Sequence, residues 1–318
     1  MLVAVSSIER LHGNEMVMYA KILIPLDGSA TAEKVLPYAR ILAGTLKLPV
    51  EFLEIVDIAA ATAHMVSDKA RYLDTIITEA ESARREYLAG IAETFAGVPV
   101  SCKVARGRPA DVIIESAEAD KGTLIAMATH GRSGINRWMM GSVAEKVLRG
   151  SAAPLFLVRA AGDGASQDRG ASIKSMIVPL DGSALAESVL PTVCELAKKL
   201  DLEVVLFRAY ELAAAAYYGN EAYLPNYDEM LRELKVEVEG YLKKTAEGLT
   251  ASGLSKVSWV ASPGSDAEEI VRFANQHRDA LVAMCTHGRS GVARWALGSV
   301  TEKVVRHTEK PVLVVHAP

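Results

Sequence analysis

The chain has 318 residues, enough for two domains that each bury their own core, and its 35 Lys and Arg nearly balance 39 Asp and Glu, for a net charge of -4. That balance gives no electrostatic footprint for nucleic acid or an anionic membrane, and three scattered cysteines supply neither a disulfide framework nor a zinc cluster. No stretch approaches the roughly 20 apolar residues of a membrane span and no secretion signal opens the chain, so a reduced cytoplasm is the expected compartment.

Residues 1–19 read as an extension ahead of the first regular pattern, expected to be poorly ordered. Lys21 to Leu26 (KILIPL) is a short apolar strand ending in Asp27-Gly28-Ser29, and Ser175 to Leu180 (SMIVPL) ends in Asp181-Gly182-Ser183. Ser29 and Ser183 are placed to cap the helices that follow, with Glu33 and Glu187 acidic in the first turn and Val35, Leu36, Ala39 and Leu42 at helical spacing. Val50 to Val56 (VEFLEIV) and Glu203 to Ala209 (EVVLFRA) are second strands; strand, helix, strand at this spacing predicts a right-handed parallel crossover. A longer segment follows in each half, from Asp57 to about Gly97 and from Tyr210 to about Gly253. It pairs an irregular part, placed to form a lid, with a helical pattern. Third strands are predicted at Val98 to Ala105 and Lys256 to Ala261, and helices at Ala110 to Ala119 and Asp266 to Gln276.

Next comes the stretch that shows the chain to be a duplication. ATHGRSGINRWMMGS, from Ala128 to Ser142, returns as CTHGRSGVARWALGS, from Cys285 to Ser299. Each follows an apolar strand, Leu124 to Ala128 or Leu281 to Cys285, and runs through a Gly-rich loop into a helix start, the pattern of a phosphate cradle. Ser142 with Glu145, and Ser299 with Glu302, have capping-box spacing, so both serines read as N-caps. Gly131, Gly134 and Gly141, with Gly288, Gly291 and Gly298, let backbone amides approach phosphate oxygens closely. Arg132, Arg137, Arg289 and Arg294 are candidate forked donors. The histidines His130 and His287 have no metal-ligand spacing around them and read as structural; Trp138 and Trp295 read as loop packing, and Cys285 as a small buried hydrophobe. Pro154 to Val158 and Pro311 to Val315 close the two halves as edge strands. Residues 160–174, rich in Gly, Ala, Ser and Asp, read as a linker between domains at 20–159 and 175–318.

Motif, aspartate and order together resemble the universal stress protein family over nearly the whole chain. ATP-binding members carry Gly, two residues, Gly, nine residues, then Gly-Ser. Here Ala128 and Cys285 stand in place of the first glycine, followed by Gly131 and Gly288, then Gly141-Ser142 and Gly298-Ser299. The resemblance implies an α/β chain of two tandem Rossmann-like domains of the adenine nucleotide α-hydrolase-like kind, each a five-stranded parallel sheet between helices. It also implies ATP, with or without magnesium, held by Asp27, Ile55, Ala128, Gly131, Gly141, Ser142 and Val143 in the first domain. In the second the matching residues are Asp181, Ala209, Cys285, Gly288, Gly298, Ser299 and Val300.

The function so implied is an ATP-binding, nucleotide-dependent regulator or stress-response factor with a protein partner that the sequence does not name. No catalytic residue is assigned: the cradles hold no GxxxxGK[ST] element and no evident base, so any ATP hydrolysis is expected to be slow. The alternatives are a slow ATPase or self-phosphorylating protein using Ser142 or Ser299, and a nucleotide-free dimerisation scaffold. A GxGxxG dehydrogenase is disfavoured, since neither half places that motif after its first strand. The apolar closing strands suggest an intramolecular pseudo-dimer, with a homodimer of whole chains left open.

Overall fold

The computed structural model describes residues 19–58, 73–129, 140–159, 170–212, 226–286 and 297–316. The chain divides into two compact units, one spanning Val17–Ser172 and the other built on Ile173–Pro318. The extension up to residue 18, the irregular parts of the two insertions (59–72 and 213–225), the greater part of both cradle loops (130–139 and 287–296) and most of the linker (160–169) lie outside the described residues.

In the first unit the strands are β1 (Lys21–Leu26), β2 (Val50–Val56), β3 (Val100–Arg106), β4 (Thr123–Ala128) and β5 (Leu155–Val158). They lie in the order β3-β2-β1-β4-β5. All pairings are parallel, Ile22 facing Val50, Lys21 facing Thr123 and Ile125 facing Leu155. Helices α1 (Leu36–Leu46), α2 (Leu73–Glu93), α3 (Pro109–Glu118) and α4 (Ser142–Gly150) connect them. A central parallel strand is covered on both faces, which is why KILIPL and TLIAMA read as apolar runs without alternation. Ile22, Leu23, Ile24, Phe52 and Leu53 are fully buried. Helix α2 packs on β2 and β3, and α3 packs on α4. Phe95 closes the end of this core, edge-on to Phe52 at 5.1 Å between ring centroids.

The second unit repeats the plan with β6 (Ser175–Pro179), β7 (Glu203–Tyr210), β8 (Val257–Pro263), β9 (Ala280–Cys285) and β10 (Val312–Val315), ordered β10-β9-β6-β7-β8 and again parallel. Its helices are a short α5 (Ala184–Glu187), α6 (Leu190–Leu200), α7 (Tyr227–Ala251), α8 (Asp266–Gln276) and α9 (Ser299–His307). Phe207, fully buried, stacks on Phe273 at 4.7 Å. In both units the first long helix ends on a non-glycine residue in the left-handed region, Lys47 (φ 56) and Asp201 (φ 51).

Three expectations shift. Tyr19, placed with the extension, is 4% exposed and belongs to the first core. Strand β3 starts at Val100 and not Val98, because Pro99 has no N–H to give the ladder and contributes only its carbonyl, to Val50 N at 2.9 Å. The capping of α4 and α9 differs as well, as set out below.

Candidate functional site

In the order β3-β2-β1-β4-β5 the connections leave β1 and β4 in opposite directions, so a crevice opens beyond their carboxyl ends. Asp27 follows β1 at that edge, Ala128 ends the neighbouring β4, and Ile55 lies near the end of β2 on the other side of β1. The second unit puts Asp181, Cys285 and Ala209 at the matching ends of β6, β9 and β7. Ala128, Cys285 and Ala209 are buried, while Asp27, Asp181 and Ile55 are partly exposed.

The turn after each first strand is built by its own side chains. Asp27 Oδ1 accepts from Ser29 N at 3.0 Å and from Ser29 Oγ at 2.6 Å; Asp181 Oδ1 accepts from Ser183 N at 2.9 Å. Gly28 (φ 76) and Gly182 (φ 84) provide the left-handed step between. Ser29 Oγ and Ser183 Oγ then accept from Ala32 N and Ala186 N, each at 3.1 Å. Ser183 is the N-cap of α5 as the sequence predicts, whereas the 3-10 turn Ala32–Val35 has Thr31 as its N-cap, so Ser29 fastens the turn ahead of it and does not cap a helix.

At the other side of the crevice the ends of each cradle loop are pinned by one backbone bond. Gly141 N donates to Thr129 O at 2.8 Å and Gly298 N to Thr286 O at 2.8 Å. Thr129 N and Thr286 N in turn donate to Val158 O and Val315 O, each at 2.9 Å. Here the sequence reading needs correction. Ser142 and Ser299 are the first helical residues; the N-caps are Gly141 (φ -62, ψ 145) and Gly298 (φ -62, ψ 142), and among the described residues no side chain caps either helix. The first intrahelical bonds run from Glu145 N to Gly141 O and from Glu302 N to Gly298 O, both 2.9 Å. The amides of Ser142, Val143 and Ala144, and of Ser299, Val300 and Thr301, therefore precede the ladder. A glycine cap supplies no oxygen to answer them, which leaves them suited to an anion. The φ values of both glycines are negative, so it is their missing side chain and not a special backbone angle that matters here.

The two strand ends differ in detail. In the second unit Thr301 Oγ1 donates to Cys285 O at 2.9 Å, and Ser188 Oγ lies 3.2 Å from Cys285 Sγ. The first unit has Ala144, Lys34 and Ala128 at those repeat positions. His130, Gly131, Arg132, Gly134, Arg137 and Trp138, with His287, Gly288, Arg289, Gly291, Arg294 and Trp295, lie outside the described residues.

Sequence reasoning missed a polar cluster under the turn. Tyr87 Oη donates to Glu33 Oε1 at 2.9 Å, and its repeat partner Tyr241 donates to Glu187 Oε1 at 2.8 Å. Burial first, then the carboxylate hydrogen bond, pushes both phenols well above their ordinary range. Beside this shared tie stands a divergent position: Glu54 on β2, 3% exposed, pairs with Arg84 Nε at 3.3 Å, whereas β7 carries Arg208 there, its guanidinium carbon 5.1 Å from the Tyr241 ring centroid. The signal was in the repeat: both tyrosines and both glutamates recur at the same offset as Asp27 and Asp181.

The profile of the universal stress protein family matches residues 18–159 and again 172–316. The chain belongs to the universal stress protein family. It carries two copies of the family's domain in tandem. A universal stress protein of Methanocaldococcus jannaschii is 29% identical over 142 residues, 45% of this chain and 83% of its own. One of Bacillus subtilis is 29% identical over 144 residues, 44% of this chain and 97% of its own. Among solved structures, a universal stress protein from Archaeoglobus fulgidus covers 93% of this chain and 98% of its own with a TM-score of 0.64 at 23% identity, a likeness of fold. Among the described residues no helix is long and apolar enough to cross a membrane.

Proposed function

We propose that each unit binds an adenine nucleotide, ATP, across the carboxyl edge of its sheet, and that the chain acts as a nucleotide-dependent regulator. The observation that carries this reading occurs twice: a helix with three uncapped amides opens beside an Asp-Gly-Ser turn at the point where the strand order reverses. The amides of Ser142 and Val143, and of Ser299 and Val300, take phosphate oxygens; Asp27 and Asp181 accept from ribose or base; the backbone of Ile55 and Ala209 borders the base. Magnesium arriving with ATP takes hard oxygen donors, from the phosphates and from Asp27 or Asp181. Binding and not turnover is the activity, since the cradle sequences carry no lysine and no GxxxxGK[ST] element for phosphoryl transfer.

The route from occupancy to response runs through the tyrosine tie. A ligand on Asp27 acts on the turn that holds Ser29, and Glu33 follows in the same turn and holds Tyr87 on α2. The same links in the second unit run from Asp181 through Ser183 and Glu187 to Tyr241 on α7. Shifting the turn therefore loads the helix that follows the insertion.

Calorimetric titration of the full chain with ATP tests the proposal, using Gly141→Val/Gly298→Val as the impaired form. The negative φ at both positions lets valine fold there, while its branched side chain stands where phosphate approaches. A loss of about 3 kcal/mol, a weakening of roughly a hundredfold, is expected. Equal affinity for the double variant would remove the site from the cradles, and ADP with phosphoserine on the purified protein would favour the self-phosphorylating alternative.

A further inference from the structure

The shared architecture makes one difference between the units informative. Two residues before each strand's end, β2 carries Glu54 and β7 carries Arg208, each next to the residue assigned to the base side of the site, Ile55 or Ala209. Glu54 is buried and faces Arg84 on α2, so its charge is answered within the unit. Position 238 on α7, the repeat partner of Arg84, is Val238, fully buried, so the second unit has no such ion pair.

Arg208 is half-buried, its guanidinium carbon 5.1 Å from the Tyr241 ring centroid. A Cβ on Gly182 would come within 3.0 Å of its Nη1, so the guanidinium lies directly against the residue that follows Asp181. Among the described residues that guanidinium makes no hydrogen bond and no ion pair. Five donors in a fixed fork, half out of water and beside the aspartate proposed to meet the ribose, form a place for a planar or tetrahedral anion.

A guanidinium beside the residue proposed to meet the ribose offers forked donors to a phosphate carried on the ribose ring, whereas the first unit holds no cation at the matching strand position. Resting on the nucleotide reading above, we propose that the second unit selects nucleotides phosphorylated on the ribose ring, with Arg208 as the specificity-determining residue. The first unit, where Glu54 and Arg84 neutralise each other, takes nucleotides with an unmodified ribose. Duplication has thus yielded two sites with different ligands.

The test is calorimetric titration of the full chain with AMP, adenosine 2′,5′-bisphosphate and adenosine 3′,5′-bisphosphate, repeated with Arg208→Gln and Arg208→Lys. Arg232→Gln, an exposed change on α7, controls for net charge. One of the two sites of the unaltered chain should bind a bisphosphate about tenfold or more tighter than AMP, as one charge-assisted contact provides. Arg208→Gln should abolish that preference while leaving AMP binding in place, Arg208→Lys should keep part of it, and Arg232→Gln all of it. Matching far-UV circular dichroism and unfolding temperatures establish that the variants are folded. If AMP binds but neither bisphosphate binds better, or if Arg208→Gln keeps the preference, this inference alone falls. If the unaltered chain binds none of the three nor ATP, the nucleotide reading falls and the inference with it.

Discussion

Replacing both tie tyrosines, Tyr87→Phe/Tyr241→Phe, removes one hydroxyl from each unit and leaves the rings in place, including the ring under Arg208. The lost contacts are hydrogen bonds to carboxylates at 2.9 and 2.8 Å, a type that contributes about 1.5–3 kcal/mol. Glu33 and Glu187 are half-exposed, so water compensates part of the loss and about 1 kcal/mol per unit is expected. With a urea slope of about 2 kcal/mol per molar, the denaturation midpoint followed by circular dichroism should fall by about 0.5 M at pH 7. The pH dependence carries a sign that a loss of packing would not produce. Both phenols titrate above their ordinary range in the folded chain, so their contribution is complete below the unfolded value near 10 and is lost as pH rises above it, because the unfolded chain releases its phenolic protons first. The gap between the unaltered chain and the double variant should therefore narrow as pH rises above about 10. An unchanged midpoint at pH 7, or a gap that does not narrow above about pH 10, would refute the tie as described.

Arg84→Val leaves buried Glu54 without the cation that faces it and should cost about 3 kcal/mol. Adding Glu54→Gln should restore at least half of the lost unfolding temperature, and a single variant as stable as the unaltered chain would contradict the pairing. Phe207→Ala, which empties a fully buried position stacked on Phe273, should cost about 3–5 kcal/mol in urea denaturation. A cost under about 1 kcal/mol would mean that the ring is not packed as described.

Strands were legible wherever burial on both faces forces an unbroken apolar run: Lys21–Leu26 and Val50–Val56 have the bounds read from sequence, and α8 spans Asp266–Gln276 as predicted. The caps of α4 and α9 were misread for a local reason. A serine followed three residues later by glutamate satisfies the spacing of a capping box, but the backbone bond from Gly141 N to Thr129 O fixes the glycine as the turning residue, one position earlier. That bond joins a strand to a helix across a loop, and such closure leaves no trace in local spacing. Glu54, Arg84 and Arg208 were invisible for another reason: a charge inside a strand pattern acquires meaning only when the helix packed on it is known, and β2 meets α2 across the insertion. The repeat did hold a usable clue, since Tyr87 and Tyr241 share the offset of Glu33 and Glu187.

The pinned loop ends have a consequence for engineering. Thr129 and Gly141, like Thr286 and Gly298, are held side by side by a backbone hydrogen bond between a strand end and a helix start. A peptide spliced between either pair begins and ends at adjacent points, so lengthening it adds only a logarithmic closure entropy, about 0.6 kcal/mol for each doubling. Each cradle is therefore a natural port for a grafted epitope or a circularly permuted reporter. A reporter placed in one port and not the other would read out the two halves of this chain separately.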